Sequence, residues 1–108
     1  MSYQVLLTRD AVRDLEELYE FLTASDSNAK ADYVLDKIEA VLQGLSESPE
    51  RGTRPRELLA LGVGEYRQVY FKPYRIIYTS RGKNVYVLLI ADGRRDMESL
   101  LQRRLLAV

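Results

Sequence analysis

The sequence predicts an α+β fold: an N-terminal α-helical hairpin packed on a small, mainly antiparallel β-sheet, with a short C-terminal helix. Three observations predict it. Two stretches carry apolar residues at helical spacing, Ala11 to Leu22 and Ala31 to Leu45, with only the turn-forming run ASDSN (Ala24–Asn28) between them. Three strand-like runs follow, near Tyr66–Phe71, Tyr74–Ser80 and Val85–Ala91, and their connections are too short for anything but antiparallel neighbours. The chain then closes on an amphipathic tail, with Met97, Leu100, Leu101, Leu105 and Leu106 as its apolar side.

In order, Tyr3–Thr8 alternates as a short strand buried mainly on one side, and Thr8 is placed to cap the first helix with Asp10 in its first turn. Ala11, Leu15, Leu18 and Leu22 form one stripe; Arg13, Asp14, Glu17 and Glu20 fall on the opposite, solvated side. The second stripe is Ala31, Val34, Leu35, Ile38, Val41, Leu42 and Leu45. Ser46–Gly64 holds Pro49, Gly52, Pro55, Gly62 and Gly64, so it reads as an irregular connection with one helical turn at Glu57–Leu61. Val85–Ala91 is apolar on both faces and belongs in the centre of the sheet, with the hairpin on one side and another cover on the other. An uncovered second face would be a sticky patch suited to an acidic amphipathic partner. Asp92 or Gly93 is expected to start the last helix, with Asp96 in its first turn.

At 108 residues and 46% hydrophobic content, the chain suits one domain over 1–108, because a second core would need roughly 100 residues more. No apolar run reaches about 18 residues, and Met1–Asp10 lacks the pattern of a signal peptide, so the expected location is cytoplasmic, with no membrane partner. The absence of Cys and His excludes Ser-His-Asp and Cys-His nucleophiles and zinc-type sites. Gly62-Val63-Gly64 is a turn rather than a phosphate loop, and no cofactor or metal is implied. Zero net charge hides a division: residues 1–50 hold 4 Lys/Arg against 11 Asp/Glu, and residues 51–108 hold 12 against 5. Such asymmetry marks either a face for an anionic partner or merely solvated helices and charged sheet edges.

The candidate target-binding residues are Arg67, Arg75, Arg94 and Arg95, each beside aromatic or apolar residues that would fix its position. Their grouping depends on register. A two-residue turn at Lys72-Pro73 puts Arg67 and Arg75 on opposite faces of the sheet, and a three-residue turn puts them on the same face. Tyr66, Tyr70, Tyr74, Tyr78 and Tyr86 interleave with these charges, either as stacking platforms or as ordinary strand residues with packed rings.

The motifs YRQVY (Tyr66–Tyr70), YRIIY (Tyr74–Tyr78), VYVLLI (Val85–Ile90) and DGRRDM (Asp92–Met97) follow TRDAVRDLEELYEFL and SPERGTRPREL along the whole chain. In that order they resemble the RelE/ParE superfamily of bacterial toxins. The resemblance implies the fold given above and a cognate antitoxin protein that neutralises the toxin, with a homodimer or a toxin–antitoxin hetero-oligomer both open. It implies one of two activities. A RelE-like ribosome-dependent mRNA endonuclease would use Arg67, Arg75 and Arg95, but this chain has Val69 and Leu101 where that branch carries a second basic residue and a tyrosine. A ParE-like toxin binds DNA gyrase and traps its cleaved DNA complex with no catalytic residue of its own, and DMESLLQRRL looks more like this branch. A module that binds only a regulatory protein, without toxicity, is the third reading.

Overall fold

The computed structural model describes residues 2–106. β1 (Gln4–Leu7) leads into α1 (Arg9–Ser25) and α2 (Asn28–Glu47), then one turn of helix, α3 (Arg56–Leu59). Strands β2 (Arg67–Phe71), β3 (Tyr74–Arg81) and β4 (Asn84–Asp92) follow, and α4 (Met97–Leu101) runs on into a π-helical turn over Gln102–Leu106. Each longer helix starts on a side-chain cap: Thr8 accepts from the Ala11 N–H at 3.2 Å and Ser27 from the Lys30 N–H at 3.0 Å. Such caps are worth about 1 kcal/mol each. The last helix is capped by Asp96, which accepts from the Ser99 N–H at 3.2 Å, and so begins later than expected. Asp92 cannot start it because it is the last residue of β4, opposite Tyr74.

The sheet order is β1-β4-β3-β2, antiparallel except for β1, which lies parallel to β4. β4 is therefore central, as its two-faced apolar pattern predicts. On one face the hairpin packs Ala11, Leu22, Val34, Ile38 and Leu42 against Val69, Ile76, Tyr78, Val85, Val87 and Ile90. On the other, Leu58, Met97, Leu100 and Leu101 cover Ile77, Leu89 and Ala91. The second face is thus closed by the chain's own α3 and α4, as the amphipathic tail allows, and among the described residues no uncovered face is left there for an acidic partner. The change of face along β4 is made by a bulge: Tyr78 is opposite Val87 and Ile77 opposite Leu89, leaving Leu88 without a pair.

β1 ends opposite Val87, so the remainder of β4 has an unpaired edge. Two side chains close it. Asp14 accepts from the Ile90 N–H at 3.0 Å, and Arg104 donates to the Leu88 carbonyl at 2.9 Å while pairing with the other Asp14 oxygen. Asp14 is therefore not on a solvated face, contrary to the helical-stripe reading. Burial pushes its carboxyl above the ordinary value, and the bonds from Arg104 and Ile90 only partly offset that. The cluster satisfies buried polar groups more than it adds net stability.

The irregular connection is pinned at two points. The buried Tyr78 hydroxyl donates to the Pro49 carbonyl at 2.7 Å and accepts from the Gly52 N–H at 3.1 Å. A Cβ on Gly52 would lie 2.6 Å from that hydroxyl and from the Gln68 carbonyl, so only glycine fits. Glu57 of α3 takes the Arg75 guanidinium in bidentate fashion, at 2.7 and 2.9 Å, which holds its carboxyl at a pKa of about 2.

Two predictions follow from these pins. Tyr78→Phe strands one buried donor and one buried acceptor, and urea unfolding should show a loss of about 2–3 kcal/mol; a loss under about 0.5 kcal/mol would mean that the loop is held elsewhere. For Glu57, a depressed pKa means that the ion pair stabilises fully above pH 4.5 and is lost as pH falls through about 2. Glu57→Gln should therefore cost about 2 kcal/mol near neutrality, and its deficit against wild type should shrink as pH is lowered toward that value. A deficit that stayed constant across the acid range would exclude the ion pair as its cause.

Candidate functional site

The register decides how the four arginines group. Phe71 lies opposite Tyr74 across the two-residue turn Lys72-Pro73, whose peptide is cis, and Tyr70 and Arg67 lie opposite Arg75 and Tyr78. Directly opposed residues share a face, so Arg67 and Arg75 are on opposite faces. Arg67 sits on the hairpin side at the far end of β2, donating to the carbonyls of Gly52 at 2.8 Å and Glu50 at 3.3 Å. Arg75 is on the other side and only 7% exposed, with Gln68 accepting from its Nε at 2.9 Å in addition to the Glu57 pair.

Arg94 and Arg95 occupy the loop between β4 and α4, at the turn end of the sheet. Gly93 starts this loop, with its N–H on the Pro73 carbonyl at 2.8 Å. Arg75 runs directly beneath: a Cβ on Gly93 would come within 2.8 Å of the Arg75 Cδ. Arg75, Arg94 and Arg95 are thus brought to one end of the sheet, and Arg67 is left at the other.

A cleft of about 460 Å³ opens at the same end, between α1 and the end of β4. Asp14, Glu17, Leu18, Phe21 and Leu22 form one wall, Tyr74, Ile90 and Ala91 the floor, and Asp92, Arg94 and Arg95 the opposite rim. Phe21 is 65% exposed, a large apolar group left in solvent. Arg94 is folded onto Asp92, with contacts of 2.6 and 3.0 Å that hold the Asp92 carboxyl below its ordinary value. Arg95 donates its backbone N–H to the Asp92 carbonyl at 3.1 Å, while its guanidinium has no hydrogen bond or ion pair among the described residues. Sequence reasoning missed both Phe21 and Glu57. A bulky aromatic just off the Leu15-Leu18-Leu22 stripe was the available signal for the first; Glu57 carried none, because its partner is 18 residues away.

Burial pushes the Tyr74 hydroxyl above its ordinary pKa, Asp92 is held ionised, and arginine is always charged. None of these groups changes protonation near neutrality. With two guanidinium groups and the carboxylates of Asp14, Glu17 and Asp92 around an apolar wall, the arrangement suits holding a polar partner surface beside an apolar side chain. Val69 and Leu101, which the resemblance sets against a basic residue and a tyrosine of the nuclease branch, are 8% and 0% exposed and belong to the two cores.

Residues 5–97 match the family model for the ParE toxin of the type II toxin–antitoxin system parDE. Toxin ParE3 of Caulobacter vibrioides is 30% identical over 101 residues, covering 94% of this chain and 97% of the relative. Among solved structures, the chromosomal ParDE toxin–antitoxin system from Pseudomonas aeruginosa superposes with a TM-score of 0.71 at 22% identity, covering 84% of this chain and 96% of that one. The toxin–antitoxin complex RelBE2 from Mycobacterium tuberculosis gives 0.59 at 23% identity, covering 85% and 92%. A mutant of Escherichia coli RelE in the free state gives 0.64 at 17% identity, covering 97% and 100%. With the family model matched over most of its length and a curated relative aligned nearly end to end, this chain belongs to the ParE toxin family of type II toxin–antitoxin systems.

Proposed function

We propose that the chain is a toxin that inhibits DNA gyrase by trapping its cleaved DNA complex, and that a cognate antitoxin neutralises it. The observation that carries this reading is the Arg95 guanidinium, unpaired among the described residues, across the cleft from the exposed Phe21. A cation and an aromatic side chain on fixed elements make a binding hot spot. Arg94 shares the rim and adds charge beside Asp92. Arg75 contributes by supporting Gly93 from below, and Arg67 by holding the loop that contains Gly52. The inward placement of Val69 and Leu101 supports binding over RNA cleavage, since neither can share charge with phosphate or move a proton.

The test is incubation with gyrase, ATP and supercoiled plasmid, followed by detergent and protease. Linear DNA should accumulate with the wild-type chain. Arg95→Ala and Phe21→Ala should each lower the yield of linear DNA at a fixed toxin concentration by about tenfold with melting unchanged, as expected for hot-spot residues. Normal supercoiling without linear DNA for the wild type would overturn the proposal and transfer the weight to mRNA cleavage on the ribosome.

A further inference from the structure

The exposed side of α2 is divided by charge along its length. At about 100° per residue, Asp32, Asp36, Glu39 and Glu47 fall on one flank of the helix, and Lys30 and Lys37 fall on the other. The acidic flank faces α1 and β1: Asp32 accepts from the Tyr19 hydroxyl at 2.9 Å, and Glu39 and Glu47 line a recess with Val5 and Leu7. The basic flank faces β2. Tyr33, 51% exposed, stands at the divide and meets the Phe71 ring edge-on, with 6.2 Å between centroids.

The Lys30 and Lys37 ammonium groups lie 6.0 and 5.5 Å from the centre of the Tyr33 ring. Neither lysine has a carboxylate three or four residues away within α2. Arg51 continues the line, because its guanidinium lies across Gly44, where a Cβ would overlap Nη1. Positions 30, 37 and 44 are seven residues apart, nearly two turns, so they stack along one side of the helix at intervals of about 10 Å. Lys30, Lys37 and Arg51 are all exposed, and none has an ion pair among the described residues. A basic line thus runs along a helix of the acidic half.

An acidic polypeptide would gain only about 0–1 kcal/mol from each exposed pair and would need an apolar anchor besides. The aromatic ring on this flank is already taken up by two ammonium groups and by Phe71. Duplex DNA needs no anchor. It carries one charge for about every 1.7 Å of its axis, and each neutralised phosphate releases condensed counterions. The interval between cations on α2 is also about three base-pair rises.

We propose that the β2-side flank of α2 binds the phosphate backbone of duplex DNA through Lys30, Lys37 and Arg51. Contacts of this kind carry no base sequence. The inference goes beyond the gyrase reading and does not rest on it, since these residues share none with the arginine cleft.

The test needs no gyrase: the chain alone is titrated into a short fluorescein-labelled duplex of mixed sequence, and anisotropy is followed at several salt concentrations. The logarithm of the binding constant should fall against that of salt with a slope of about −3, as three phosphate contacts require. The double variant Lys30→Gln, Lys37→Gln should melt like wild type, lose about 2 from the size of that slope and bind at least about tenfold more weakly at low salt. Arg9→Gln with Arg13→Gln removes the same charge from exposed positions on α1 and should keep the wild-type slope. Absence of binding at low salt would overturn the proposal, as would an unchanged slope in the lysine variant or an equal loss in the α1 variant. A glutamate-rich peptide bound as tightly as the duplex at the same salt would assign the line to an acidic polypeptide and equally overturn it.

Discussion

A strand that is apolar on both faces must be covered twice, and β4 imposes that demand on the rest of the chain. The hairpin satisfies one face. The other requires the polypeptide to turn back after Asp92 and lay Met97, Leu100 and Leu101 over Leu89 and Ala91. The loop with Arg94 and Arg95 is therefore stretched between two buried anchors, Ala91 and Met97. The core fixes both of its ends, and a loop held in that way loses less conformational entropy when a partner docks. The half of β4 beyond β1 adds a second demand, met by Asp14 and Arg104 from opposite ends of the chain.

Features governed by local chemistry were legible in the sequence. Thr8 is the N-cap that its position before the first stripe predicts, and the strands after Gly64 begin and end within one residue of the expected places. The final helix was expected at Asp92 or Gly93 but starts at Met97, because pairing with Tyr74 keeps Asp92 in the sheet. What sequence could not reach were contacts between distant residues. The parallel placement of β1, the Glu57 partner of Arg75 and the burial of Asp14 against Arg104 each join segments whose spacing carries no periodic signal. Register lay between these cases: both turn lengths at Lys72-Pro73 agreed with the apolar pattern, and only pairing separates Arg67 from Arg75.

The candidate arginines consequently divide by what surrounds them. Arg67 and Arg75 are occupied by internal acceptors, so their charge serves the fold, whereas the Arg95 guanidinium has no such acceptor among the described residues. The helix α1 is a common wall between two recesses, showing Leu18 and Phe21 to the arginine cleft and Val12 and Leu15 to a depression against α2. The depression carries Glu16 and Glu20 and no Lys or Arg, whereas the cleft mixes Arg94 and Arg95 with Asp14, Glu17 and Asp92.

The unpaired Leu88 also sets how the chain can change in length. Before it, Val85 and Val87 face the hairpin; after it, Leu89 and Ala91 face α4 and Ile90 faces the hairpin. Deleting Leu88 would only straighten the strand, since Val87 and Leu89 would then follow one another opposite Tyr78 and Ile77 with Ile90 still facing the hairpin. Inserting one residue after it, with the bulge kept at one residue, would instead exchange inside and outside for every later position in β4, sending Ile90 into the layer meant for Leu89. The same insertion in the exposed stretch 60–62 would alter only a connection. Insertions among descendants of this sequence should therefore collect in the loop ahead of β2 and be absent from the middle of β4.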